Sequence, residues 1–251
     1  MRVTVPPLAD RRRESRFFSA MAMAMAIVVF VGFSRTYYLS GWFPQTAARA
    51  APENYFNLHG AVFTAWMMLL VLQTTFVRTG YMNLHRSIGI AGVFLAIMLV
   101  LSGIYAALLA ASRPGGFIGV PVPPGMFLVV PLADVLLFGV FAAIAYSERR
   151  GKKSHKRWIM LATVNLLGAA FARILPAAWL TDISFLLIYV FVNLFIVALA
   201  MWDLKTLGRL HPVTLWGGLV VIASQPLRMV LANTVAWQAF ADWAIGLIAR
   251  S

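Results

Sequence analysis

Five ionisable side chains lie within long apolar stretches of this chain: Arg35, His59, Asp134, Arg173 and Arg228. A charged group in such surroundings is costly, and it normally faces a bundle interior or a water-filled cavity. Counted along their stretches, all five fall at a similar depth toward one end, so they could line one pocket. A guanidinium binds carboxylate or phosphate in a bidentate manner. Three guanidiniums against the single carboxylate of Asp134 would leave a positive excess. The expected chemistry is binding or transport of an anionic or carbonyl-bearing small molecule, with a lipid headgroup or a quinone as examples. Asp134 would act as an arginine partner or as a proton carrier. The competing expectation is that the arginines snorkel to headgroups and serve structure only. Asn193 and Gln225-Pro226 add polarity nearby, and the proline is expected to kink its helix.

A second set collects at the other end of the same stretches: His85, His155, His211 and Asp203. Neutral imidazole is the commonest transition-metal ligand, and His85 with His155 could hold a single b-type haem between two helices. The alternative function is therefore a haem- or metal-dependent membrane redox protein. A third reading is a structural accessory subunit of a membrane complex. The chain has no cysteine, which removes thiolate zinc sites, iron–sulfur clusters and disulfides. It also lacks a phosphate-binding glycine loop, a nucleophile elbow and a His-Glu-x-x-His pair.

The elements that must position these groups follow from composition. Of 251 residues, 61% are hydrophobic and 12% charged, and the mean hydropathy is +0.83. Soluble domains carry about 25% charged residues. A membrane helix needs about 20 mainly apolar residues, and seven segments qualify: 17–39, 57–77, 87–110, 125–146, 158–179, 183–203 and 213–232. Runs of this length are helices, because barrel strands would be half as long and would alternate in polarity. The expected fold is an all-α polytopic bundle of seven transmembrane helices (17–232), preceded by a basic tail (1–16) and followed by an amphipathic, interfacial segment (233–251).

The net charge is +13, but the basic residues cluster between apolar runs, which argues for a membrane surface and against nucleic acid. Fifteen of the 21 lysines and arginines fall on one side of the seven segments, leaving Arg35, Arg49, Arg113, Arg173, Arg228 and Arg250. By the positive-inside tendency the N-terminus is cytoplasmic and the C-terminus outside. The basic face would meet anionic headgroups. The expected location is a bacterial cytoplasmic (inner) membrane.

Some motifs support a resemblance. The run from His59 through Trp66, then Gln73-Thr74 and His85-Arg86-Ser87-Ile88-Gly89, resembles a group of bacterial seven-helix inner-membrane proteins with no assigned function. The segments beginning at His155, His211 and Ser224 are similar to further motifs of that group. More loosely, histidines at span ends resemble membrane proteins of the cytochrome b561 type. That likeness implies haem held by histidine pairs on both faces. Here the outer face offers only His59, so at most one haem is implied, at the cytoplasmic face.

Overall fold

A computed structural model describes residues 8–43, 54–118, 120, 122–175 and 184–249. The first seven residues of the basic tail, the end of the segment at 158–179, and Arg2, Arg49 and Arg250 lie outside them.

Every described element is helical. The helices are α1 (Leu8–Phe33), α2 (Asn54–Thr79), α3 (Met82–Ser112), α4 (Pro124–Phe127), α5 (Val129–Ser147), α6 (Lys152–Asn165), α7 (Gly168–Ile174), α8 (Ser184–Leu207), α9 (Pro212–Ala232) and α10 (Val235–Ala249). Among the described residues six helices are long and apolar enough to cross a membrane, and a seventh crossing results if α6 and α7 count as one bent span. The architecture is thus a helical bundle with the composition of a multi-pass membrane protein.

Burial stripes explain the assembly. In α1, Phe18, Met21, Ala22, Met25 and Val29 are buried at helical spacing, while Met23 between them is 48% exposed. α6 is the central helix: Arg157, Met160, Leu161, Ala162, Thr163 and Val164 are all within 1% of complete burial. It packs most heavily on α5 and then on α9. Gly217 of α9 makes that approach close, since a Cβ there would come 2.7 Å from Leu161 Cδ1 and 2.9 Å from the Trp158 ring.

Two ends of the bundle are chemically distinct. At the basic end, Lys156 pairs with Glu14 and lies 4.7 Å from the Phe18 ring centre, and Phe17 stacks on Trp202 at 4.4 Å. These contacts bring together the starts of α1 and α6 and the end of α8. At the opposite end, Tyr38 bonds Thr64 of α2 at 2.9 Å, and Trp237 of α10 donates to the Gly125 carbonyl at 2.9 Å.

The element boundaries differ in places from the segments read in the sequence. The first helix begins at Leu8, well inside the stretch read as a tail, and its far end tightens into a π-helical turn, Ser34–Tyr38. The fifth segment is broken: α6 stops at Asn165, α7 starts at Gly168, and the two are bent by 44°. The final segment forms α10, which packs its Ala241 against Ala107, Ala111, Leu128 and Leu132. Pro226, expected to kink its helix, lies within α9, which runs continuously from Pro212 to Ala232.

Candidate functional site

The break in the fifth segment follows a threonine bonded back to its own helix. Thr163 Oγ1 donates back to the Ile159 carbonyl at 3.0 Å, the kind of side-chain bond that bends a helix. It also accepts from Trp66 Nε1 of α2 at 3.2 Å. The next two amides abandon the α-helical register: Leu166 N–H donates to Thr163 O at 3.0 Å and Leu167 N–H to Val164 O at 3.1 Å. These tighter bonds keep the backbone satisfied through the bend.

A buried polar cluster gathers at this bend. Arg228 of α9 is 3% exposed and pairs with Asp134 of α5, Nη1 to Oδ1 at 2.5 Å. Its Nη2 donates to Asn165 Oδ1 at 3.3 Å and to Ser224 Oγ at 3.2 Å. Asn165, the last residue of α6, donates its other amide end to the Asp134 carbonyl at 2.6 Å. One turn away, Asn193 of α8 and Gln225 of α9 form a reciprocal amide pair with both bonds at 2.9 Å. Four helices, α5, α6, α8 and α9, therefore bring polar side chains to one guanidinium and one carboxylate.

Two buried polar atoms of this cluster have no hydrogen-bond partner: Arg228 Nε and Tyr189 Oη. Both residues line one small cavity of about 10 Å³ together with Asp134, Asn165, Gly168, Val192 and Gln225. That volume holds about one water-sized atom. Such a volume and two free donors suit an oxygen acceptor.

The other sequence-derived candidates lie elsewhere. Arg173 is exposed on α7, 4.4 Å from the Phe33 ring of α1, and donates to its own Ala169 carbonyl at 2.8 Å. Arg35 lies 5.4 Å from the Phe43 ring. His59 Nδ1 pairs with Ser102 Oγ of α3 at 3.0 Å. Of the five, only Asp134 and Arg228 come together, so the positive excess expected for the pocket reduces to a one-to-one ion pair.

The second set, at the basic end, does not gather at one point: His211 lies with Asp203 and His85 near His155. Asp203 is saturated: Arg157 Nε donates to both its oxygens at 3.0 and 3.3 Å, and Arg157 Nη2 pairs with Oδ1. Thr214 Oγ1 and the His211 N–H add bonds to Oδ2 at 2.5 and 3.2 Å. Both charged side chains have zero exposure. His211 Nδ1 accepts from Val213 N–H at 3.2 Å and so caps α9. Burial, with Arg157 close by, holds the His211 imidazole below its ordinary pKa. His155 Nδ1 donates to the Ala145 carbonyl at 2.7 Å. The Gln73 amide lies against His85 and Gly89; with its nitrogen toward His85 it would donate to the His85 carbonyl at 3.0 Å and accept from Gly89 N–H at 3.2 Å. Among the described residues no three His, Asp or Glu side chains group as a metal site requires.

No family model matches this chain, and neither curated proteins nor solved structures include a significant match to it. The functional reading therefore rests on the chain's own geometry.

Sequence reasoning missed four participants: Asn165, Tyr189, Ser224 as an Arg228 partner, and Arg157 as a buried ion. A signal for the α9 residues was present. The buried stripe Val213, Gly217, Val221 continues at helical spacing into Gln225, Arg228 and Ala232, which puts two polar groups on the core face.

Proposed function

We propose that this chain is a multi-pass protein of a bacterial cytoplasmic membrane, crossing seven times, that binds a small oxygen-bearing molecule at the Asp134–Arg228 centre. The basic end faces the cytoplasm and its anionic headgroups, and the centre lies in the outer half of the bundle. The observation that carries this reading is the pair of unpartnered donors, Arg228 Nε–H and Tyr189 O–H, lining one cavity beside a broken span. A buried polar group without a partner costs about 1–3 kcal/mol, so an occupant that accepts from both would be stabilised there.

The broken span supports the reading independently. Interrupted membrane helices are tolerated where they line a cavity or a binding site. The cavity as it stands admits one oxygen atom, so transport of a larger solute would require α7, α8 or α9 to move.

The test is equilibrium binding to detergent-purified protein, followed by tryptophan fluorescence and thermal shift, with three probes: duroquinone, benzoate and inorganic phosphate. Saturable binding of at least one probe is expected. Failure of all three would remove the ligand-binding reading.

A further inference from the structure

We infer that the centre selects a neutral carbonyl oxygen carried on an apolar body, and that Tyr189 is the residue that recognises it; this rests on the ligand-binding reading above. The argument begins with the donors of Arg228. A guanidinium has five N–H groups. The two on Nη2 go to Asn165 and Ser224, and Nη1 is engaged by Asp134. Nε points no bond anywhere. Tyr189 Oη lies directly beside the same guanidinium and close to Asp134, but outside the distances and angles of a formed hydrogen bond. One acceptor oxygen in the cavity could take a hydrogen bond from each.

Charge then chooses among acceptors. The Arg228 charge is already matched by Asp134, and the remaining polar groups (Asn165, Asn193, Gln225, Ser224 and Tyr189) are uncharged. An entering carboxylate or phosphate would bring a second negative charge beside Asp134 in a region from which water is excluded. Like charges at such distances and low dielectric repel strongly. A carbonyl has the lone pairs of an acceptor without that charge.

Size and surroundings fix the rest of the ligand. The cavity of about 10 Å³ takes the oxygen and nothing more, so the body of the molecule must lie outside it. Tyr189 is itself only half-buried although its Oη is inaccessible and the residue lines the cavity. Its neighbour Val190 is 54% exposed, and Leu227, beside Arg228 in sequence, is 62% exposed. The surface at this level of α8 and α9 is therefore apolar, and the body that rests on it is lipid-soluble.

The experiment compares duroquinone with benzoate and phosphate on wild-type protein and on Tyr189→Phe. That substitution removes one hydroxyl that makes no well-formed hydrogen bond in the unliganded protein. The expected result has two parts. Duroquinone binds at least tenfold more tightly than benzoate or phosphate. Tyr189→Phe weakens duroquinone about five- to tenfold, the loss of one hydrogen bond, while the thermal midpoint of the unliganded protein is unchanged or raised. Benzoate or phosphate binding as well as duroquinone would overturn the selectivity but leave a ligand site standing. A lowered thermal midpoint in Tyr189→Phe would overturn the role of Tyr189, because the hydroxyl would then be structural. Unaltered duroquinone affinity in Tyr189→Phe would overturn it too. No binding by any probe would mean a resident water only, and both readings would fall.

Discussion

Arg157 and Arg228 carry the same side chain in two different settings. Arg157 spends its donors on Asp203 and on the Lys153 carbonyl, 2.8 Å away, with Thr214 and His211 completing the carboxylate. Such a closed network ties α6, α8 and the start of α9 together. Removing one charge of a fully buried pair strands the other, at about 3–5 kcal/mol. Asp203→Ala is accordingly expected to lose stability of that order in a detergent unfolding titration. The double variant Arg157→Met with Asp203→Leu, which buries no charge, should recover most of it. If Asp203→Ala unfolds like wild type, the network is not a staple.

The same network predicts a pH response. His211 has a folded-state pKa below its unfolded value of about 6.5, so the folded protein favours neutral imidazole. Its contribution is present above the unfolded pKa and is lost as pH falls through the folded one. Protonation also ends the cap, because Nδ1 can no longer accept from Val213. The charged groups facing it are Arg157, Lys153 and Lys156 from α6 and Asp203 from α8. The thermal midpoint should fall on acidification below about pH 6.5. His211→Asn, which caps a helix without titrating, should show a shallower fall; an identical profile would exclude His211 as the source. These residues also mark the limit of reading residues from sequence. His211 and Asp203 stood out by type, but nothing local distinguished Arg157 from the basic residues around it. Its burial comes from α8 and α9, which lie far away in sequence.

At the scale of elements, the α6–α7 bend is what turns a packed bundle into one with a polar centre. It frees Asn165 to bridge Asp134 and Arg228, and it places α7 against α1. The contact with α1 is tight: a Cβ on Gly32 would come 2.6 Å from the Ala170 carbonyl oxygen. Gly32→Val must push the two backbones apart, and overpacking of this kind costs about 1–3 kcal/mol. A lowered thermal midpoint is expected, with a larger effect than the same change at Gly41, which has nothing within 4 Å of its Cβ position. Equal effects at the two glycines would mean that α7 does not press on α1. The long elements were legible because hydrophobic length alone specifies them. The break was not. Residues 158–179 read as one apolar run, and the tightened turn at Leu166 and Leu167 that breaks it carries no signature in hydropathy.

For the whole molecule, charge and apolar length act together. The cluster of basic residues around α1, α3, α6 and α9 starts organises one end, and six or seven long apolar helices fill the middle. This much was readable from composition. The pocket was only half readable: Asp134 and Arg228 were identified by being charged in apolar surroundings. Depth along a helix does not fix the direction in which a side chain points, and Arg35, His59 and Arg173 project elsewhere for that reason. The central claim is that the charge-balanced Asp134–Arg228 pair exists to hold a ligand. Asp134→Asn combined with Arg228→Gln removes both charges at once and leaves neither stranded. The most direct measurement is duroquinone affinity of this double variant beside its circular dichroism and thermal midpoint. The expected result is retained helix content, a midpoint near that of wild type, and duroquinone binding weakened at least tenfold. Undiminished binding in a folded double variant would contradict the claim.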